Sequence, residues 1–111
     1  MKAKADYKKL KGMIVSIMND GLTHTKTALI NDLRDFIPNK DKDRVIRDCV
    51  AQINADSKNY GDTLIIATSD VKGYRLGTNK EDIQHFKNER LKRADETLAP
   101  IEKANRLLGR M

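Results

Sequence analysis

At 111 residues the chain has room for one small core, and an apolar content of 39% is enough to form it. A single cysteine, Cys49, excludes an intrachain disulfide and a CxxC metal site, and no run of about 18 apolar residues offers a membrane span. The formal charge of +6 divides into +3 over residues 1–20, +1 over 21–79 and +2 over 80–111. This spread favours a polyanionic partner without building a polybasic tail.

Tyr7, Leu10, Met13, Ile14, Ile17 and Met18 recur at spacings of three and four, which predicts a first amphipathic helix. Asp20-Gly21 supplies its stop, with Gly21 able to adopt the left-handed conformation past a helix end. Thr25 is a candidate N-cap for a second helix carrying Leu29, Ile30, Leu33, Phe36 and Ile37. Pro38 disfavours helical backbone in the residue before it, so this helix should end near Phe36. After a polar connection, Ile46, Cys49, Val50 and Ile53 mark a third helix over roughly Asp41–Asp56.

Asn59-Tyr60-Gly61-Asp62 reads as a turn. The β-branched run Thr63–Thr68, the loop Ser69–Gly73 and the segment Tyr74–Leu76 then read as a β-hairpin. Its inward face is either Leu64/Ile66 or Ile65/Ala67. Gly73 is expected to permit the tight turn, and Tyr74 with Leu76 to seat the hairpin on the core. Thr78 followed by Glu81 is a capping-box pattern, which predicts helix from there to about Leu108. Pro100 falls inside that stretch and should kink or split it.

Three helices followed by a hairpin with Lys72 at its tip is the layout of a winged helix-turn-helix. The fold expected is therefore α+β and mainly helical. A winged domain over residues 1–78 would precede a helical extension over 79–111. In helix-turn-helix motifs the second helix of the motif enters the major groove. With Ile46, Cys49, Val50 and Ile53 facing inward, the third helix turns Arg44, Arg47, Asp48 and Ala51 outward, with Lys40 and Lys42 at its entering end. Arginine there can read a guanine edge or hold phosphates. Arg44 with Asp48, and Asp43 with Arg47, are equally i,i+4 pairs of the kind that decorate solvated helices.

The stretches Asp43-Arg44-Val45-Ile46-Arg47, Ile53-Asn54, Leu64–Ala67 and Lys72-Gly73-Tyr74-Arg75-Leu76 resemble small winged-helix proteins encoded by phages and mobile elements. In these a wing of the Gly-Tyr-large-apolar type commonly precedes an acidic-capped long helix, as in Asn79-Lys80-Glu81-Asp82-Ile83. The resemblance implies duplex DNA binding, as a transcriptional regulator or replication accessory. It implies a recognition-helix role for Arg44 and Arg47 and a wing role for Lys72 and Arg75. The expected DNA contacts are thus Thr25, Lys26, Lys40, Lys42, Arg44, Arg47, Lys72 and Arg75. The alternative is a winged helix that binds a protein, kept open by the near-neutral middle of the chain and by Asp41, Asp43 and Asp48.

Leu91, Ala94, Leu98, Ile101, Asn105 and Leu108 form a heptad-like stripe, expected to pair two chains as a homodimer with Asn105 setting register. The other course is that this segment folds back on its own domain through a bend at Pro100. Cys49 is expected inside as a small apolar residue. His24 is expected in a loop, or touching a phosphate, and His85 on a solvated helix face. No catalytic motif, cofactor signature or metal-ligand spacing is present, so a non-enzymatic protein is expected. With no secretory or lipidation signal, a cytoplasmic location is expected.

Overall fold

The computed structural model describes residues 6–38, 40–68, 72–92 and 98–111. Helix α1, Tyr7–Met18, starts where the Lys9 amide donates to the Asp6 carboxylate at 3.1 Å, and it buries Leu10, Ile14 and Met18. Beyond it Gly21 takes a left-handed φ of 76°. Helix α2, Lys26–Leu33, is capped by Thr25, whose hydroxyl accepts from the Ala28 amide at 3.1 Å. It tightens into one 3₁₀ turn over Arg34–Phe36, ending ahead of Pro38 as that residue requires. Helix α3, Lys42–Ala55, is capped by Asp41, which accepts from the Arg44 amide at 3.0 Å. The segment read as a turn holds a four-residue helix α4, Ser57–Tyr60, closed by Gly61 at φ 55°.

The sheet has three strands, β1 (His24–Thr25), β2 (Ile65–Thr68) and β3 (Gly73–Leu76), in the order β1-β3-β2 and antiparallel throughout. Strand β1 is too short to leave an alternating signal, and the sequence does not announce it. It brings Thr25 opposite Gly73, and that contact decides why position 73 is glycine. A Cβ on Gly73 would run into the His24 carbonyl oxygen and lie 2.8 Å from the Thr25 Cα. Gly73 is needed for this close approach of β1. The left-handed backbone of the turn falls on Lys72, at φ 46°. The rest of the hairpin tip, residues 69–71, lies outside the described residues.

Both candidate faces of the hairpin are buried. Ile65 and Tyr74 join the main core formed by α1, α2 and α3, centred on Ile14, Leu29, Leu33, Ile46, Cys49 and Ile53. Leu64 and Ile66 face the other way, into a second cluster with Ile83, Phe86 and Ala104, flanked by Leu107 and Leu108. An antiparallel hairpin ordinarily leaves one face wet. Here helices α5 (Lys80–Leu91) and α6 (Leu98–Gly109) cover it. Only Ala67 on β2 remains exposed.

The C-terminal part departs from the sequence reading in two places. The α5 cap is Asn79, one residue later than the Thr78 capping box; its side-chain Oδ1 accepts from the Glu81 and Asp82 amides at 2.7 and 3.3 Å. The long helix kinked at Pro100 is instead two helices packed against each other, α5 ending at its C-cap Lys92 and α6 opening at Leu98. Pro100 lies in the first turn of α6. No helical hydrogen bond is asked of its missing N–H there, and so it bends nothing.

The clasp that holds α6 in place is a buried lysine. Lys103, fully inaccessible, donates from Nζ to the carbonyls of Ile53 at 2.6 Å, Asp56 at 3.1 Å and Thr63 at 3.0 Å. Three acceptors match the three N–H donors of an ammonium. The Ile53 carbonyl, in the last turn of α3, also accepts from the Asp56 amide at 3.2 Å, so there the ammonium is a second donor. Burial pulls this ammonium below the usual lysine range, opposed by the Asp56 and Asp62 carboxylates. One and two turns further along α6, Arg106 reaches Asp62 at 2.6 Å and Ser57 at 3.3 Å, and Arg110 reaches the other Asp62 oxygen at 2.6 Å.

Replacing Lys103 by Met keeps the aliphatic stem but removes three charge-assisted hydrogen bonds to buried carbonyls, so denaturant unfolding should show a loss of about 3 kcal/mol. The Arg106 and Arg110 contacts hold the Asp62 carboxyl below its ordinary range. A carboxyl lowered in the folded state stabilises fully above the ordinary value of about 3.9, and this is lost as pH falls toward the folded value. The melting temperature should therefore hold level from neutrality to about pH 5 and fall below about pH 4, less steeply in Asp62→Asn.

Candidate nucleic-acid interface

The α3 periodicity leaves one stripe outward. Arg44, Arg47, Asp48 and Ala51 are exposed, while Val45, Ile46, Cys49, Val50 and Ile53 are buried. Around this stripe the fold gathers basic residues that are distant in sequence. The Lys26 amide at the start of α2 donates to the Lys72 carbonyl at 3.2 Å, so the base of the hairpin tip sits against the α2 N-terminus. Asp43, in the first turn of α3, then joins that corner to the helix. Its Oδ1 lies 3.8 Å from Lys26 Nζ and its Oδ2 3.3 Å from Arg47 Nε.

The structure thus brings Thr25, Lys26, Arg47 and Lys72 to one corner, with Arg44 exposed on α3 and Lys40 exposed ahead of it. Two of the expected contacts are engaged elsewhere. Lys42 donates from Nζ to the Ile37 carbonyl at 3.0 Å, closing the connection between α2 and α3. Arg75 presents its fork to Asp82 on α5, with Nε and Nη2 at 2.8 and 2.7 Å from the two carboxylate oxygens. A bidentate charge-assisted pair of this kind fixes the guanidinium, so Arg75 fastens β3 to α5.

Several other residues resolve with it. His24 lies on β1, half-buried, with Nε2 2.9 Å from both Asp20 oxygens. That contact, followed by the hydrogen bond from the Leu22 amide, holds the Asp20 carboxyl below its usual range. Cys49 is fully buried, and burial pushes its thiol up to about 11, which removes the thiolate that reactivity requires. The dimer stripe is split by the fold-back. Leu91 is 58% exposed, Asn105 is exposed, and Ile101 and Leu108 are half-buried, Leu108 against the second cluster. Leu98 opens α6, and Ala94 lies outside the described residues. The face that α6 buries most deeply carries Lys103 and Ala104 instead.

Beside α3 a groove of about 650 Å³ runs to α5 over β2. Val50, Ala51, Ile66, Ala67 and Phe86 line it, together with Arg47, Asp48, His85, Glu89 and Arg90. The Arg90 guanidinium stands 4.8 Å from the centroid of the Phe86 ring. Asn54 closes the inner end by pairing with Ile65, accepting from its amide at 2.8 Å and donating to its carbonyl at 3.0 Å. Among the described residues no cluster of three His, Cys, Asp or Glu side chains is placed to hold a metal ion, and no helix is long and apolar enough to cross a membrane.

The sequence reading missed two partnerships here. The i,i+4 spacing of Asp43 and Arg47 is visible in the chain, but the link to Lys26 exists only once α2 packs beside α3. Arg75 and Asp82 are separated by the hairpin exit and the α5 cap, and no local rule pairs them. The chain matches no known protein family, no curated protein and no solved structure that would identify a relative.

The corner depends on Gly73 admitting β1. Gly73→Ala should lower stability by about 2 kcal/mol, because the clash is with backbone and a strand must shift. The same change should loosen the Lys26–Lys72 hydrogen bond, read as faster amide exchange at Lys26.

Proposed function

We propose that this protein is a winged helix-turn-helix that binds duplex DNA, with α3 as the reading helix and the β2–β3 hairpin as the wing. The observation that carries the reading is the convergence of Lys26, Arg47 and Lys72, from three separate segments, on the side of α3 that also exposes Arg44. Cations so gathered suit a phosphate backbone, whose contacts set register, while an exposed helix offers side chains to base edges. The roles that follow are base reading by Arg44, backbone contacts from Thr25, Lys26, Lys40 and Arg47, and a wing contact from Lys72. A two-fold dimer using the exposed Leu91 would present two such faces and call for a pseudopalindromic site. Regulation of transcription or assistance to replication are the roles such a binder serves, in the cytoplasm, without catalysis.

A second reading rests on the groove beside α3. Its apolar lining and its mixture of Arg47 and Arg90 with Asp48 and Glu89 suit a protein segment better than a polyanion. One measurement separates the two. Duplex affinity titrated against salt should fall linearly on logarithmic axes with a slope of about −3.6, from about four phosphates neutralised by Lys26, Lys40, Arg47 and Lys72 at 0.9 each. Arg44→Ala with Arg47→Ala should weaken binding at least about tenfold and make the slope shallower by about one or more. A duplex that binds weakly and indifferently to salt, with no change in the double variant, would return the protein-partner reading.

A further inference from the structure

Among the described residues, Asp43 is the acidic side chain that the fold inserts between two of the cations gathered at the proposed DNA face. It gives one oxygen to each, with Oδ1 3.8 Å from Lys26 Nζ and Oδ2 3.3 Å from Arg47 Nε. The two cations come from different helices, so the bridge is a product of packing as well as of helical spacing. A phosphodiester presents the same pattern as a carboxylate, two terminal oxygens sharing one negative charge. All three side chains are solvent-accessible, with Lys26 44%, Asp43 36% and Arg47 56% exposed. Ion pairs this open are held weakly and exchange partners readily.

We propose that Asp43 is a displaceable internal counter-ion, occupying in the free protein the place that a backbone phosphate of duplex DNA takes in the complex. Lys26 and Arg47 are then a single two-cation phosphate subsite. This inference rests on the DNA-binding reading and sharpens it. The backbone contacts of Lys26 and Arg47 then fall on one and the same phosphate. It also assigns Asp43 a purpose beyond the favourable placement of an acid in the first turn of α3, a placement that Asp41 as N-cap already supplies in part. When DNA arrives, Lys26 and Arg47 turn from the carboxylate to the phosphate, and the carboxylate left behind repels it. Affinity is thereby held down, most of all at low salt, and made less steeply dependent on salt, which shortens the time spent on non-specific sites.

The test is a double-mutant comparison by fluorescence anisotropy on a labelled duplex, with each protein's melting temperature measured alongside. Asp43→Asn, isosteric and uncharged, should bind about tenfold tighter at low salt, its advantage shrinking as added salt screens the carboxylate. In a Lys26→Met, Arg47→Met background the same substitution should change affinity less than about twofold, because the subsite it relieves is gone. Two results overturn the inference while leaving DNA binding intact: no tightening in Asp43→Asn, or an undiminished gain in the background lacking both cations, which would reduce the effect to net charge. If neither wild type nor Asp43→Asn binds duplex at low salt, the DNA reading itself fails and takes this inference with it.

Discussion

A lysine ammonium with three carbonyl oxygens around it holds the C-terminal half of this molecule to the N-terminal half. Lys103 reaches from α6 to Ile53 and Asp56 at the end of α3, and to Thr63 just ahead of β2. These carbonyls lie where α3 ends, where α4 begins and where the chain approaches β2. A single side chain satisfies them together. The charge is tolerable inside only because every N–H it carries is matched, and Asp62 with Arg106 and Arg110 draws the same surfaces together at the edge. With α6 anchored there, Ala104, Leu107 and Leu108 fall onto Leu64 and Ile66.

The consequence is a hairpin buried on both faces. Its main-core side, through Ile65 and Tyr74, locks it to α1, α2 and α3, and its other side is roofed by α5 and α6. Asn54 occupies the strand edge at Ile65, and Arg75 ties β3 to the first turn of α5. A strand pair held on both faces and at both ends is a rigid mount for its loop.

The charges around α3 are arranged by the same packing. Lysines and arginines alone would make a plain basic patch, yet three aspartates accompany them, each with a different part. Asp41 caps the helix, Asp43 bridges Lys26 and Arg47, and Asp48 lines the groove toward α5. Under the proposed DNA-binding reading, an acid placed among these cations trades affinity for reversibility.

The sequence by itself determined the elements whose ends are written locally. The N-cap Thr25, the left-handed Gly21, the stop before Pro38 and the burial of Cys49 and Tyr74 all follow from neighbours a few residues apart. The α+β, mainly helical architecture follows from their order. What only the tertiary structure decided depends on partners far along the chain. Strand β1 exists because β3 offers it an edge, and Gly73 is glycine because β1 lies against it. Leu64 and Ile65 are both buried because α5 and α6 return, which the heptad-like stripe through Pro100 hides. Lys103 is the extreme case. In the sequence it is one more lysine on a charged helix, and only the three carbonyls gathered around it, forty to fifty residues away, give it a buried place.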